Sequence, residues 1–203
     1  MLEPQAFARY DESPDALFYG QPRFVEHIDE GAIADVVRLH RERLPAGGEI
    51  LDLMSSWVSH LPAEVDYARV TGLGMNAAEL SRNPRLTASV VHDLNASVAL
   101  PFPDATFDAA TICVSIQYLT DPVAVLRDLA RVVRPGGVAV VTFSNRCFPT
   151  KAVAVWQGLD DHGHLALVSK YFESAGWTGI EAVTSPPRPR DPLYAVVATS
   201  PPA

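Results

Sequence analysis

Short runs of apolar residues recur along this chain without the alternation of polar and apolar residues that marks a strand exposed on one face. The clearest is the run from Phe107 to Val114. Such runs are typical of strands buried on both faces of a parallel sheet. Between the runs lie segments with helical features, among them Asp29 as an N-cap and Asp121-Pro122 as another helix start. Strands that alternate with helices predict a doubly wound α/β sheet.

Five predicted strands alternate with helices, and a further pair lies at the C-terminal end. They fall near residues 49–53, 69–74, 88–92, 107–114, 138–143, 177–183 and 193–199. The last two are joined without a helix by the proline- and arginine-rich residues 185–192, which predicts an antiparallel hairpin. A short helix near Pro62 and a helix capped by Asn76, with Glu79 as capping-box partner, complete the pattern. Since no domain boundary is visible, residues 1–203 are interpreted as a single domain.

The chain is acidic, with a formal net charge of -8 at pH 7. This argues against a nucleic-acid partner, because such proteins cluster Lys and Arg, and it leaves a small-molecule substrate open. No apolar stretch approaches the ~20 residues that span a bilayer, and no signal peptide is recognised. Cys113 and Cys147 lack CxxC spacing, and His162-Gly163-His164 lacks further ligands, so neither a disulfide nor a metal site is expected. We therefore expect a cytoplasmic protein without a membrane partner; a homodimer stays open.

Residues 1–28 mix aromatic and acidic side chains, including Tyr10, Asp15, Phe18 and Tyr19. This is too much apolar material for a free tail. Two interpretations stay open: a lid over the edge of the sheet, or a structural extension packed on the core.

Polar residues end the first predicted strand, in the stretch Asp52-Leu53-Met54-Ser55-Ser56-Trp57. In an open parallel sheet, ligands bind in the crevice beyond the carboxyl ends of the strands. We therefore expect this stretch to lie at the mouth of a binding site.

Three motifs further along the chain resemble one known family. They are Leu100-Pro101-Phe102-Pro103-Asp104-Ala105-Thr106-Phe107-Asp108, then Tyr118-Leu119 with Asp121-Pro122, and Arg131-Val132-Val133-Arg134-Pro135-Gly136-Gly137. Together they resemble the small-molecule branch of the class I S-adenosylmethionine-dependent methyltransferases, over roughly residues 50–143. The resemblance implies a Rossmann-like, seven-stranded mixed sheet, mainly parallel with one antiparallel strand near the C-terminus. It also implies S-adenosylmethionine as cofactor.

The resemblance places cofactor contacts at the ends of the first four strands. It implies that Asp52 organises the loop around the methionine part, and that Asp93 accepts a hydrogen bond from the adenine amino group with Leu94 beside the ring. A carboxylate and an apolar side chain suit a neutral heterocycle with amino protons. The loop from Ser115 to Tyr118 would border both cofactor and acceptor. The residues implied in cofactor binding are Asp52, Met54, Ser55, Ser56, Gly74, Met75, Asn76, Asp93, Leu94, Ser115 and Ile116.

The chain departs from the family's pattern at two places. Met54, Ser56 and Val58 stand where the family has glycines, which let the backbone approach the cofactor without a Cβ. Gly74 stands where the family has an acid that bridges the ribose hydroxyls, and losing such a contact costs about 1.5–3 kcal/mol. The candidate replacement partners are Ser55, Ser56 and Asn76.

The methyl acceptor is expected near the N-terminal residues and the ends of the fourth and fifth strands. Methyl transfer mostly needs the nucleophile held in line with the sulfonium, so no catalytic residue is assigned. If a base is required, His27, His60 and His92 are candidates beside the tyrosines. Arg146 would bind a substrate carboxylate or phosphate, or pair with a nearby acid. The candidate substrate residues are Tyr10, Tyr19, His27, Tyr118 and Arg146.

Two functions from different classes follow from these residues. The first is a methyltransferase that acts on a small molecule through an altered cofactor loop, favoured by Asp52, Asp93 and the polar Asn145-Arg146 loop. The second is a catalytically inactive protein of the same fold that serves as a ligand-binding or regulatory module, favoured by Met54-Ser55-Ser56 and Gly74.

Overall fold

A computed structural model describes residues 3–186 and 190–202 of the chain. The helices are α1 (Asp15–Tyr19), α2 (Glu30–Arg43), α3 (Ala77–Arg82), α4 (Pro122–Val132), α5 (Ala154–Gln157) and α6 (Asp161–Ser174). The strands are β1 (Glu49–Leu53), β2 (Arg69–Gly74), β3 (Ala88–Val91), β4 (Phe107–Cys113), β5 (Val133–Phe143), β6 (Thr178–Thr184) and β7 (Tyr194–Thr199). Each predicted strand is present, although β5 begins earlier than predicted. Part of the connection predicted for residues 185–192 lies outside the described residues.

Within the described residues, the strands form one seven-stranded sheet in the order β3-β2-β1-β4-β5-β7-β6. Strands β1 to β5 pair in parallel, whereas β7 runs antiparallel to both β5 and β6. The predicted Rossmann-like mixed sheet with one antiparallel strand is therefore confirmed. The strand order reverses between β1 and β4, and ligands of open α/β sheets bind at such a reversal, beyond the carboxyl ends of the strands.

Apolar side chains fill the space on both faces of the sheet. Leu51 of β1 belongs to the cluster that contains Leu126 of α4 and Phe172 of α6. Its neighbour Ile50 belongs to the cluster that contains Leu39 of α2, because successive side chains of a strand point to opposite faces. All five side chains are buried. The unalternating runs in the sequence therefore reflect burial of both faces under helices.

Capping residues set the ends of the helices as the sequence predicts. Asp29 accepts from Ala32 N at 2.9 Å at the start of α2, and Asp121 accepts from Ala124 N at 3.0 Å at the start of α4. Gly176 follows α6 with φ 89°, a left-handed conformation that favours glycine.

The short helix predicted near Pro62 is not formed. Residues 54–68, between β1 and β2, consist of turns, bends and irregular backbone. Two side-chain hydrogen bonds tie Ser59 of this stretch to residues outside it. Ser59 Oγ donates to Asp52 at 2.7 Å, and Asn83 Nδ2 donates to Ser59 Oγ at 2.8 Å. Long-range hydrogen bonds therefore replace the local ladder of a helix here.

Residues 3–28, called the N-terminal segment below, are anchored by a buried ionic cluster. Asp15 accepts two hydrogen bonds from Arg9 Nη1, at 2.8 and 2.9 Å, and one from Asn95 Nδ2 at 2.7 Å. The fully buried Lys151 Nζ lies 3.0 Å from the same carboxylate and donates to Ser13 O at 2.7 Å. The segment is thereby attached to the loops that follow β3 and β5.

The two cysteines, Cys113 and Cys147, are free thiols. Among the described residues, no group of three or more His, Cys, Asp or Glu side chains is placed to hold a metal ion. In the same part of the chain, no helix is both long and apolar enough to cross a membrane.

Lys151→Ala tests the anchoring cluster. We expect the free energy of unfolding to fall by about 2 kcal/mol in urea titrations followed by circular dichroism, because Ser13 O and Asp15 lose a buried donor, although Arg9 still pairs with Asp15. Lys170→Ala is the control, since the Lys170–Glu173 pair is exposed and such pairs contribute little. Equal, small effects of both substitutions would contradict the role given to Lys151.

Candidate functional site

A cavity of about 390 Å³ lies at the carboxyl ends of β1, β2 and β4, beside the N-terminal segment. This volume is within the range of small-molecule sites. Its lining contains most of the predicted cofactor residues, namely Asp52, Met54, Ser55, Ser56, Gly74, Met75, Asn76, Asp93, Leu94 and Ser115. It also contains four of the predicted substrate residues, namely Tyr19, His27, Tyr118 and Arg146.

Two predicted site residues lie outside the lining of the cavity. Ile116 is 1% exposed and packs in the apolar core. Tyr10 is 87% exposed, because Arg9 takes the inward direction towards Asp15 and neighbouring residues of extended backbone point to opposite sides. The structure therefore does not bring these two side chains to the site.

Asp52, at the carboxyl end of β1, is a buried acceptor for three hydroxyl groups. Ser55 Oγ donates at 2.6 Å, Ser59 Oγ at 2.7 Å and Thr111 Oγ1 at 3.1 Å. Burial raises the pKa of Asp52 from its ordinary 3.8 to about 6, and the three hydroxyl bonds oppose that rise. Asp52 thus fixes the loop that follows it against β4.

The loop after β1 folds back on the end of β2. Ser55 N donates to Leu73 O at 2.8 Å. A Cβ atom added to Gly74 would lie only 2.1 Å from Ser55 O, which is closer than atoms can approach. Met54 begins the loop with φ 59°, a left-handed conformation that costs a non-glycine residue roughly 1–2 kcal/mol. The two departures from the family's pattern are therefore linked, because this loop conformation leaves no room for a side chain at position 74.

Asn76 uses its whole amide group within the protein. Its Oδ1 accepts from Ala78 N and Glu79 N at the start of α3. Its Nδ2 donates to Tyr19 O at 2.9 Å and to Gly20 O at 3.2 Å. Asn76 therefore joins α3 to the N-terminal segment and has no amide hydrogen left to donate to a ligand.

Glu79 lines the cavity, although the sequence pattern assigned it to a capping box. Its carboxylate accepts instead from Ser56 Oγ at 2.6 Å and from Arg23 N at 2.7 Å, so only half of the predicted capping box is formed, the bond from Glu79 N to Asn76 Oδ1. Sequence reasoning missed this residue as part of the site. The available signal was an acid in the first turn of the helix that follows β2, at the ligand-binding edge of the sheet.

Asp93 and Leu94 line the cavity after β3. Asp93 Oδ1 accepts from Asn95 N at 2.9 Å and Ala96 N at 3.3 Å, which fixes the carboxylate. Asp93 Oδ2 has no partner among the described residues, and Leu94 beside it is 5% exposed. A fixed carboxylate with a free oxygen, next to an apolar side chain, fits an amino-substituted heterocycle such as adenine.

Ser115 contributes an unsatisfied hydroxyl to the cavity wall. Its Oγ is buried and has no hydrogen-bond partner within the described residues. Because an unpaired buried hydroxyl costs roughly 1–3 kcal/mol, a ligand that pairs with it gains affinity. Together with Asp93, this hydroxyl shows that the residues present fit S-adenosylmethionine.

Part of the cavity lining is aromatic. The ring of Phe148 lies 5.3 Å from His27 and 5.9 Å from Tyr118, and Tyr19 lies 6.4 Å from Tyr118. Tyr118 Oη accepts from Phe148 N at 2.8 Å, which holds these two rings together. Rings at these separations form a wall on which a flat ligand can stack.

The predicted bases differ in how free they are. Desolvation lowers the pKa of His27 and of His60 below the ordinary 6.5, so both imidazoles are neutral at pH 7 and able to accept a proton. His92 Nε2, by contrast, bonds to Ser97 O at 2.8 Å, which commits that nitrogen as a donor.

Arg146 has an acidic partner in the structure. Its Nε donates to Asp191 Oδ1 at 2.7 Å, while 65% of its side chain is exposed. Of the two predicted roles, pairing with a nearby acid is therefore the one the structure contains.

The N-terminal segment lies across the cavity and is bonded to its rim. Trp57 Nε1 donates to Val25 O at 3.1 Å, Arg23 N donates to Glu79, and Asn76 donates to Tyr19 O. The bonds come from the loop after β1, from Asn76 and from α3, and the first two of these were predicted to contact the cofactor. The residues that bond to the N-terminal segment therefore also line the cavity.

Comparison with known proteins agrees with this arrangement. A family model described as a methyltransferase domain matches residues 54–141. Demethylmenaquinone methyltransferase of Corynebacterium kroppenstedtii is 34% identical over 192 residues, covering 74% of this chain and 81% of that protein. The chain belongs to the class I S-adenosylmethionine-dependent methyltransferases. The predicted cofactor, S-adenosylmethionine, is the cofactor of this family and is confirmed at that level.

Further similarities support the family and the fold. Demethylmenaquinone methyltransferase of Mycolicibacterium gilvum is 30% identical over 205 residues, covering 85% of this chain and 82% of that protein. Among solved structures, the [4+2]-cyclase SpnF superposes with a TM-score of 0.66 at 16% identity, covering 91% of this chain and 90% of the other. At that identity the superposition shows the fold alone.

Asp52→Asn tests the buried carboxylate through pH. Because the folded state raises the pKa of Asp52 to about 6, its contribution to stability is fully present below pH 3.8 and is lost as the pH rises through 6. We expect the wild type to lose about 2 kcal/mol of unfolding free energy relative to Asp52→Asn between pH 4 and pH 7.5. Urea titrations at both pH values measure this, and any constant offset cancels. A difference independent of pH would contradict it.

Proposed function

We propose that this chain is an active methyltransferase that transfers the methyl group of S-adenosylmethionine to a small, flat aromatic acceptor related to quinones. The observation that carries this is a single cavity whose lining combines the free oxygen of Asp93 with the rings of Tyr19, Tyr118 and Phe148. The names of the relatives, which are demethylmenaquinone methyltransferases, support an aromatic acceptor.

In this proposal, the polar residues of the cavity lining hold the cofactor. When bound, S-adenosylmethionine supplies an activated methyl group on a sulfonium. Asp93 Oδ2 accepts from the adenine amino group, with Leu94 beside the ring, and Ser115 Oγ gains the partner it lacks. Asp52 acts indirectly, since it holds Ser55 in the loop through a hydrogen bond at 2.6 Å.

The aromatic residues of the cavity lining orient the acceptor. Stacking on Phe148 and Tyr118 fixes the plane of a flat ring, and alignment of nucleophile and methyl group supplies most of the rate enhancement that methyl transfer needs. His27 faces Phe148 at 5.3 Å and is neutral at pH 7, so it accepts the proton that the acceptor releases. The N-terminal segment, as a lid, excludes water from the site.

The inactive binding module is favoured by one observation, the filled loop after β1. Met54 and Ser56 place side chains where glycines would leave bare backbone, and Ser55 O occupies the space beside Gly74. A cavity of about 390 Å³ nevertheless remains, and the free oxygen of Asp93 in its lining supports the cofactor binding that an active enzyme requires.

Calorimetric titration with S-adenosylmethionine and with its demethylated product separates the two functions. We expect both to bind, and Asp93→Ala to weaken each by about 10- to 100-fold, as for a lost hydrogen bond to a charged group. Asp66→Ala, at an exposed acid outside the cavity lining, is the control. Absence of binding at millimolar concentration sinks the proposal, and an unchanged affinity of Asp93→Ala shows that adenine lies elsewhere.

Phe148→Leu tests whether the acceptor stacks on the aromatic residues of the cavity lining. Leucine keeps an apolar side chain but removes the flat face, so we expect the dissociation constant of 1,4-naphthoquinone to rise by about tenfold. Quenching of tryptophan fluorescence, with Trp57 at the cavity wall, reports binding. The matched control is Phe102→Leu, at a ring that packs on Phe107 away from the cavity. Equal affinities in both variants would show that the acceptor does not stack on Phe148.

A further inference from the structure

The end of β2 offers no side chain to a ligand. Gly74 ends this strand at the cavity wall, and Ser55 O occupies the space that a Cβ would need. A carboxylate at this position is therefore incompatible with the loop as it is folded. Whatever holds the sugar of a bound nucleoside must come from another residue.

The replacement partners predicted from the sequence are already committed. Asn76 donates both amide hydrogens to the N-terminal segment, and Ser55 Oγ donates its proton to Asp52 at 2.6 Å. Ser56 Oγ donates to Glu79 Oε2, also at 2.6 Å. The bond of Ser56 leads to an acidic group in the cavity lining, the carboxylate of Glu79.

Glu79 has capacity to bind further donors. Each of its oxygens accepts one hydrogen bond in the structure, from Ser56 Oγ and from Arg23 N, and a carboxylate offers about four acceptor positions. It lies in the first turn of α3 and lines the cavity. The two neighbouring hydroxyls of a ribose are both donors and match the two oxygens of a carboxylate.

We propose that Glu79, five positions beyond the end of β2, is the carboxylate that binds the ribose hydroxyls of S-adenosylmethionine in this chain. The inference rests on the proposed function and assigns a residue that the sequence pattern gave to helix capping. Ser56 positions the carboxylate from one side and the backbone of Arg23 from the other. The ribose contact and the N-terminal segment thus share one acidic group.

Discrimination between two nucleosides tests the assignment without any catalytic readout. Calorimetry gives the dissociation constants of adenosine and of 2′,3′-dideoxyadenosine, which lacks both hydroxyls, for the wild type, Glu79→Gln and Glu26→Gln. Glu26 is an exposed acid of the N-terminal segment that lines the same cavity but accepts no hydrogen bond from Ser56, so it serves as the matched control. We expect the wild type and Glu26→Gln to prefer adenosine by at least about tenfold, and Glu79→Gln to lose most of that preference.

The ratio protects the test from effects on folding. A structural defect would weaken both nucleosides together and leave their ratio unchanged, and that result overturns the assignment. Equal binding of the two nucleosides by the wild type overturns it as well. If the wild type binds S-adenosylmethionine but Glu79→Gln keeps the preference, this inference alone fails. If the wild type binds neither the cofactor nor adenosine, the proposed function fails, and the inference about Glu79 fails with it.

Discussion

The site depends on one buried carboxylate and the three hydroxyls that donate to it. Asp52 binds Ser55 and Ser59 from the irregular stretch after β1, and Thr111 from the adjacent β4. That stretch has no helix to hold its shape, so these bonds supply its fixed points. Asn83 extends the network, since its Nδ2 donates to both Ser59 Oγ and Ser56 O. A charge that is costly to bury is retained because the cavity wall is built around it.

The cavity lining has two chemically different parts, and the N-terminal segment is bonded close to both. Acidic and hydroxyl groups from β1, α3 and the loop after β3 form one part, and the rings of Tyr118 and Phe148 form the other. Asn76 and Glu79 hold the backbone of the segment by hydrogen bonds. Asp15, bonded to Asn95 and Lys151, holds it near the loops after β3 and β5. This arrangement suits a reaction between a charged, polar cofactor and a flat, apolar acceptor.

The sheet and its caps were predictable because their signals are local. Unalternating apolar runs follow from burial on both faces, and Asp29 and Asp121 cap helices through bonds only three residues away. The placement of Asp93 and Ser115 at the cavity followed from the family resemblance.

The predictions that failed concern residues whose conformation is set by partners beyond the reach of the local pattern, at separations from 6 to 56 residues. Glu79 satisfies the local pattern of a capping box, yet Ser56 and Arg23 compete successfully for its carboxylate. The stretch near Pro62 contains residues that tolerate a helix, but Ser59 is held by Asp52 in an irregular conformation. Tyr10 was placed at the site by its residue type alone, whereas the ion pair of Arg9 with Asp15 decides which side of that backbone faces inward. Sequence spacing carries no information about such competitions.

The contact between Ser55 O and Gly74 makes two positions of this chain epistatic. A side chain introduced at position 74 meets the carbonyl oxygen at 2.1 Å, so it is tolerated only if the loop after β1 is rebuilt in the same step. Conversely, a glycine-rich loop introduced alone would leave the end of β2 without a polar group. Neither change brings the benefit that both bring together, and their effects on ligand affinity are therefore non-additive. Converting this site to a glycine-rich loop with an acid at the end of β2 therefore requires changes at both places in the same variant.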